Sequence, residues 1–350
     1  MKLLIDVGYT KTRMAEWLNG QLSNVETIAT YNAWMDIEAD ADQRKSKFVD
    51  WLSGHILARI KATQNIDEVG ICLPGAINNL GAVANINSLW GRASEGLEGN
   101  YFSNRIGIPV FLYNDLVAAA AFHGPDCLQG VDGCAVILNI GSGIGSKLYD
   151  PRRGGVVVGR SGLDGEIGLS VVDDGPSAFS MRDGTSKGAL GLYSSGSGFA
   201  RLVREAAAQS PTDARVLGRF LGKEKLSLEC ASRDEINRAA VNAIASDDQF
   251  LLKLLERSIN LLANVLHIVV LFNSPNVVVI TGGFYHALER DYRPLLCSAL
   301  SRRLATFYSL TDIEAMVRSG RNEGSESLLG IAELLKARAS NTEKLSYALS

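Results

Sequence analysis

The sequence predicts an α/β protein built from two similar lobes, and three observations carry that prediction. At 350 residues the chain is too long for one ordinary core, and roughly 150 residues per domain gives about two. LLIDVGYTKTRMAEW, from Leu3, then aligns position for position with VILNIGSGIGSKLYD, from Val136, laying Asp6 on Asn139, Gly8 on Gly141 and Thr10 on Gly143. That offset far exceeds the roughly 20 to 50 residues of a solenoid repeat, so it marks two lobes rather than an array. Any two apolar strands with glycine-rich turns can align by chance, but here the elements that follow each segment keep the same order. Finally, apolar runs of strand length alternate with stretches of helical period.

Taken in order, Leu3–Val7 reads as a strand, Gly8–Lys11 as a turn and Thr12–Leu18 as a second strand. Asn19-Gly20 supplies a hairpin turn to a third strand near Val25–Thr30. A helix follows from about Asp42 to Ala62, because Phe48, Trp51, Leu52, Ile56, Leu57 and Ile60 recur at three- and four-residue spacing. Next come a strand at Glu68–Leu73, a helix around Gly96–Ile106, a strand at Pro109–Tyr113 and an alanine-rich helix at Leu116–Phe122. The pattern restarts with strands at Cys134–Ile140, Ser146–Tyr149 and Gly155–Gly159. From residue 199 the chain reads as mainly helical: Phe199–Ala208, Thr212–Leu221, Ser232–Ile244 and 248–272, then a strand at Asn276–Thr281 and further helices. The amphipathic tail Ser327–Arg338 is placed to pack back on the first lobe. The smaller lobe is expected at 1–115 with about 325–350, and the larger at 116–324.

Composition removes several classes. With 46% hydrophobic and 21% charged residues the chain is globular rather than disordered or collagen-like. A net charge of −3 argues against a nucleic-acid surface spread over the protein. Five cysteines without CxxC spacing write neither a disulfide framework nor a zinc knuckle and suit a reducing cytoplasm. The three apolar residues before Asp6 are far short of a signal-peptide core. The uncharged run 258–288 is interrupted by asparagines and Pro275, so it reads as a buried helix and strand, not a membrane span. Glycine, 35 of 350, is in excess by about ten residues over average usage, and that surplus needs a place.

Much of it falls in candidate binding turns. Asp6, Gly8, Thr10 and Lys11 form a tight turn that can hold a phosphate, with Asp6 holding magnesium through water; a plain hairpin with a buried acceptor is the alternative. Gly141, Ser142 and Gly143 open a second turn whose amides can approach an oxyanion. A strand rather than a helix follows these glycines, which excludes a Rossmann turn, and no GxxxxGK[ST] occurs. Asn114-Asp115 closes a strand before a helix, suiting either a general base or a helix cap. Glu166, between Gly165 and Gly168, suits a bidentate hold on neighbouring hydroxyls or is an exposed loop residue. Thr281-Gly282-Gly283 after a strand offers backbone to a flat nucleobase or ribose, or simply starts a helix.

Together these segments resemble the ROK family of sugar kinases and related repressors, within the actin, hexokinase and Hsp70 superfamily. The carriers are Asp6–Thr12, Leu73-Pro74-Gly75 with Asn87 and Trp90, Asn114-Asp115, Gly141–Gly145, Val277–Gly283 and Leu329–Ala332. The resemblance implies a two-lobed actin-like ATPase (ribonuclease H-like) fold in which two such hairpins face each other across a cleft. It implies transfer of a phosphoryl group from ATP, with magnesium, to a hydroxyl of a sugar-like polyol. Asp115 is then the general base. Asn114, Asp115 and Glu166 orient the acceptor, Gly75 and Asn87 lie on the sugar side, and Gly282 and Gly283 face adenosine. Family members are usually dimers.

Two departures shape the expected substrate. The family follows its Gly-Glu-Ile-Gly segment with a His and then a cysteine-rich zinc site, whereas here Leu169 takes the His position and no Cys or His occurs between Cys134 and Cys230. No structural zinc is expected. Loss of a sugar-touching His points away from plain glucose and raises a carbocyclic acceptor, such as a seven-carbon cyclitol, as an alternative. Tyr9 replaces a frequent glycine of the first turn. A repressor is disfavoured because the first phosphate strand begins at Lys2, leaving no helix-turn-helix before it. A non-catalytic sugar-binding regulator is the other competing class.

Overall fold

Asn19 and Gly20 take φ of 51° and 86°, the left-handed pair that a two-residue hairpin of strongly twisted strands requires. That turn joins β2 (Lys11–Leu18) to β3 (Gln21–Ala29), and β2 pairs antiparallel with β1 (Lys2–Val7). The computed structural model describes residues 1–31, 38–63, 65–86, 89–181, 186–210, 218 and 230–348. It divides into two compact units, one of residues 1–126, 149–164 and 323–350, the other of residues 127–148 and 165–322.

In the first unit β1 also runs parallel to β4 (Glu68–Leu73), which runs parallel to β7 (Val110–Asn114), giving the sheet order β3-β2-β1-β4-β7. The period of two sorts β1 between faces. Leu3, Ile5 and Val7 join a core with Phe48, Leu52 and Ile56 of α1 (Ala41–Ala62). Leu4 points the other way, with Ala15, Cys72 and Ala118, onto Leu328, Ile331 and Leu335 of the C-terminal helix Glu326–Ala348. The amphipathic tail therefore covers the back of this sheet. Asp40 and Gln43 close a capping box at the start of α1.

Between these elements the helix expected around Gly96–Ile106 is present with a later start. The stretch Gly91–Leu97 is a strand, β6, paired with β5 (Val83–Ile86), and α2 begins only at Gly99 (Gly99–Ile106). Gly91 and Gly96 weaken a helix there, and Gly91 takes φ of 91°, so the hairpin prevails. A helix α3 (Asp115–Cys127) follows β7 directly.

The second sheet repeats the first. β8 (Ala135–Ile140), β9 (Ile144–Asp150), β10 (Gly155–Val156), β11 (Val277–Thr281) and β12 (Val317–Ser319) lie in the order β10-β9-β8-β11-β12. Third, second, first, fourth, fifth is the order in both, and an offset of 133 carries β1 onto β8 residue for residue. β10 is shorter than the expected Gly155–Gly159, because the Gly159 amide leaves the ladder to bond the Asp164 carboxylate at 2.5 Å. The helices of this half are α4 (Gly191–Ser194), α5 (Gly196–Gln209), α6 (Arg233–Ile244), α7 (Gln249–Asn273), α8 (Gly283–Arg303) and α9 (Leu310–Met316). The expected helix Thr212–Leu221 lies outside the described residues but for 218. α7 is long and apolar enough to cross a membrane, yet Leu251, Leu255, Ile259, Leu262, Leu266 and Val270 are built into the core with Val136, Leu138 and Ile280.

Candidate active site

In the first unit, three parallel strands bring their C-terminal ends to one edge of the sheet, the usual place for ligands in α/β sheets. Asp6 near the end of β1 is in register with Cys72 of β4 and with Arg13 of β2. Arg13 Nη2 meets Asp6 Oδ2 at 2.5 Å. The turn after β1 closes through the Gly8 amide on the Lys11 carbonyl (2.9 Å), and Thr30 pins it by donating Oγ1 to the Gly8 carbonyl (2.8 Å) and its amide to the Thr10 carbonyl (3.1 Å). Tyr9, Thr10 and Lys11 are exposed on this fixed turn.

Asp115 starts α3 at the same edge. Cys72, fully buried in the neighbouring strand, has its thiol pushed well up by burial and by the Asp6 and Asp115 carboxylates. Asn114 supplies the helix cap: Oδ1 accepts from the amides of Leu116 (2.9 Å) and Val117 (3.2 Å), while Nδ2 donates to the Gly75 carbonyl at 2.7 Å. Asp115 Oδ1 also accepts from Leu116 N at 2.9 Å. Gly75, with φ of 106°, is therefore tied to the start of α3. Gly162 abuts the same loop so closely that a Cβ would lie 2.5 Å from the Ile77 carbonyl carbon. Asn87 lies outside the described residues, and Trp90 is buried.

In the second unit Asn139 occupies the place of Asp6, with Thr281 Oγ1 3.4 Å from its Oδ1. Gly141 N bonds Gly143 O (3.0 Å), and the turn is clamped from behind by α5, whose Gly196 amide donates to the Gly141 carbonyl (2.8 Å). Ser142 and Gly143 are exposed. Sequence reasoning missed three residues that converge here. Ser197 N approaches Ser142 O at 3.4 Å, Arg233 Nη1 donates to Ser197 Oγ at 3.3 Å, and Asn237 Nδ2 donates to Gly196 O at 2.9 Å. The run Ser194-Ser195-Gly196-Ser197-Gly198 was the available signal. Gly282, at φ of 102°, leaves no room for a side chain, since a Cβ would sit 2.5 Å from Asn139 Oδ1 and from the Ile140 carbonyl carbon. Gly283 then opens α8 into free space.

Glu166 is half-buried rather than an exposed loop residue. Its carboxyl is pushed up by burial, against the opposing pull of the Lys147 ammonium. Leu169 is 48% exposed.

Residues 4–338 match the model of the ROK family. The chain belongs to the ROK family. A curated relative, the 2-epi-5-epi-valiolone 7-kinase of an Actinoplanes species, is 25% identical over 308 residues, covering 85% of this chain and 81% of that protein. Among solved structures, a ROK family glucokinase from Streptomyces griseus, in complex with glucose and AMPPNP, superposes with a TM-score of 0.70 at 19% identity, covering 95% of this chain and 98% of that one. A ROK family transcriptional regulator homologous to the E. coli MLC protein superposes with a TM-score of 0.69 at 20% identity, covering 96% of this chain and 77% of that one. The fold is thus the two-lobed actin-like ATPase fold of ROK proteins. A kinase and a regulator both carry it, so the fold alone does not assign the chemistry.

The groups that the family implies differ in fit. The second turn suits a nucleotide's phosphates, with Ser142 and Gly143 exposed on it. Asp6 shares its carboxylate with Arg13, which suits a hydrated magnesium held through water better than an ion stripped to protein ligands. Zinc does not fit. In place of thiolates, the segment before α5 is held by Val171–Ala189 and Ser180–Lys187 bridges and by Tyr193, which donates to Asp173 at 2.7 Å and stacks on Phe179 at 4.6 Å.

Proposed function

We propose that this ROK protein is a kinase that transfers the γ-phosphoryl group of ATP, with magnesium, to a hydroxyl of a sugar or sugar-like polyol. The observation that carries the reading is the division of labour at the start of α3. The Asn114 amide oxygen makes the cap bond to the third helical amide, while Asp115 beside it sets a carboxylate at the strand's end and accepts from Leu116 N. Asp115 is then the general base. The acceptor hydroxyl gives its proton to the Asp115 carboxylate as its oxygen bonds the γ-phosphorus, and the bond from that phosphorus to the bridging oxygen breaks to release ADP.

The remaining residues bind and orient. Asn114 uses both lone pairs of Oδ1 and one N–H on the protein, leaving one amide N–H to offer an acceptor hydroxyl. Glu166 accepts hydroxyls of the polyol, and Gly75 shapes the loop tied to Asn114. The turn of Asp6, Gly8, Thr10 and Lys11 is a phosphate-binding turn, as is that of Gly141, Ser142 and Gly143, while Gly282 and Gly283 receive the nucleoside. Asp6 would hold magnesium through water, and the ion would supply positive charge to offset that of the phosphates.

A carbocyclic acceptor is the second reading, favoured by exposed Leu169 where the family resemblance calls for His and by the cyclitol named for the Actinoplanes relative. Release of ADP from ATP and magnesium, followed over a panel of hexoses, amino sugars and seven-carbon cyclitols, tests both. Turnover with at least one polyol is expected. A cyclitol kcat/KM above that of glucose supports the second reading, and the reverse order removes it. Sugar binding without ADP release by any acceptor makes the protein a regulator.

A further inference from the structure

Lys147 lies within β9 and is only 2% exposed. An ammonium withdrawn that far from water needs an anionic partner, because its desolvation costs several kcal/mol. A carboxylate near enough to feel that charge is Glu166, on the loop that packs against β9. Backbone contacts enforce the approach. Ser146 donates its amide to the Gly165 carbonyl at 2.7 Å and its Oγ to the same oxygen at 3.3 Å. Gly165 has φ of 75°, and a Cβ there would lie 1.8 Å from the Ser146 carbonyl; a Cβ on Gly168 would lie 2.4 Å from that of Ile144. Glu166 thus stands on an arch whose two glycines press onto β9, with Ile167 anchored in the core beside Val136 and Leu138. Neither glycine accepts a side chain without moving the arch.

A carboxylate that receives two hydroxyls has to be both ionised and still, and a half-buried one resists the first. We propose that Lys147 is a positioning residue that fixes the Glu166 carboxylate for recognition of the acceptor's hydroxyls. The inference rests on the reading of Glu166 as an acceptor ligand. Lys147 meets no acceptor atom in this scheme; it acts through Glu166, so its loss weakens acceptor binding and leaves ATP binding alone.

The test is a double-mutant cycle with Lys147→Met, Glu166→Gln and the pair, using the acceptor found by the ADP-release panel. Lys147→Met should raise the acceptor KM by roughly 10- to 100-fold, with the KM for ATP within about twofold of the parent. In the Glu166→Gln background the same change should add less than about twofold. An unchanged acceptor KM, or an equal increase in both backgrounds, overturns the inference. If the parent protein phosphorylates no polyol, the kinase reading has failed, and thermal unfolding still decides the pair. Each single variant should lower Tm because it strands a buried charge, and the double variant should lower it by less than the sum. Additive losses overturn the pairing, and Lys147→Gln repeats both measurements should Lys147→Met not fold.

Discussion

The two sheets have one strand order and one offset, yet opposite chemistry at the same point. At the end of its central strand the first sheet carries Asp6, ion-paired to Arg13 and in register with Cys72. The second carries Asn139, in register with Thr281, and Ser146 takes the place of Arg13. The turns that follow are also secured differently, the first by Thr30 from the end of its own hairpin, the second by the start of α5. Duplication therefore supplies the backbone twice, while the carboxylate at this point of the central strand belongs to one copy. The neutral copy is suited to hold an anion without a carboxylate beside it.

The most severe way to break this asymmetry is to remove the base. Asp115→Asn should lower kcat by roughly 10²- to 10⁴-fold with the KM for ATP nearly unchanged, as read by ADP release. Undiminished turnover takes Asp115 out of the role. Exchanging the two central-strand residues probes the contrast itself. Asp6→Asn should lower kcat by about 10²-fold through loss of the metal's anchor. Asn139→Asp should raise the KM for ATP by about tenfold by setting a carboxylate near the phosphates. Equal effects on kcat from both would mean that the halves are not specialised.

Stability sharpens the comparison further. Gly282→Ala meets Asn139 and Ile140 at a φ that alanine resists, so urea unfolding should show a loss of about 1–3 kcal/mol. The smallest effect concerns Glu16, whose place in the second half is taken by Tyr149. Burial pushes the Glu16 carboxyl up, but hydrogen bonds from Thr63 and Asn24 and the Arg59 charge outweigh it, leaving it below the usual carboxylate range. A lowered pKa in the folded state gives stability that is present above the unfolded value and is lost as pH falls. The Tm difference between the parent and Glu16→Gln should therefore shrink from pH 6 to pH 3, and a constant difference contradicts the assignment.

Elements governed by local chemistry were legible in the sequence. Asn19-Gly20 announces its hairpin, and the period of α1 announces its buried face. The duplicated turns were legible as well, because glycine spacing is local. The β5–β6 hairpin was not, since Gly91–Leu97 lacks an alternating pattern and is a strand only because Val83–Ile86 pairs with it. Of the proposed site residues, Asp6, Asp115 and Glu166 could be picked out by type and setting. Arg13, Lys147, Ser197, Arg233 and Asn237 could not, since their relevance comes from register and from helices that dock from far along the chain. The capping bonds of Asn114 to Leu116 and Val117 are likewise not written in the local sequence.

Phosphorus NMR of ATP, magnesium and the acceptor panel tests phosphoryl transfer to a polyol most directly. A new phosphomonoester resonance that grows in step with ADP, and fails to grow with Asp115→Asn, is the expected result. Persistence of ATP with every acceptor, including one that the protein demonstrably binds, would contradict it.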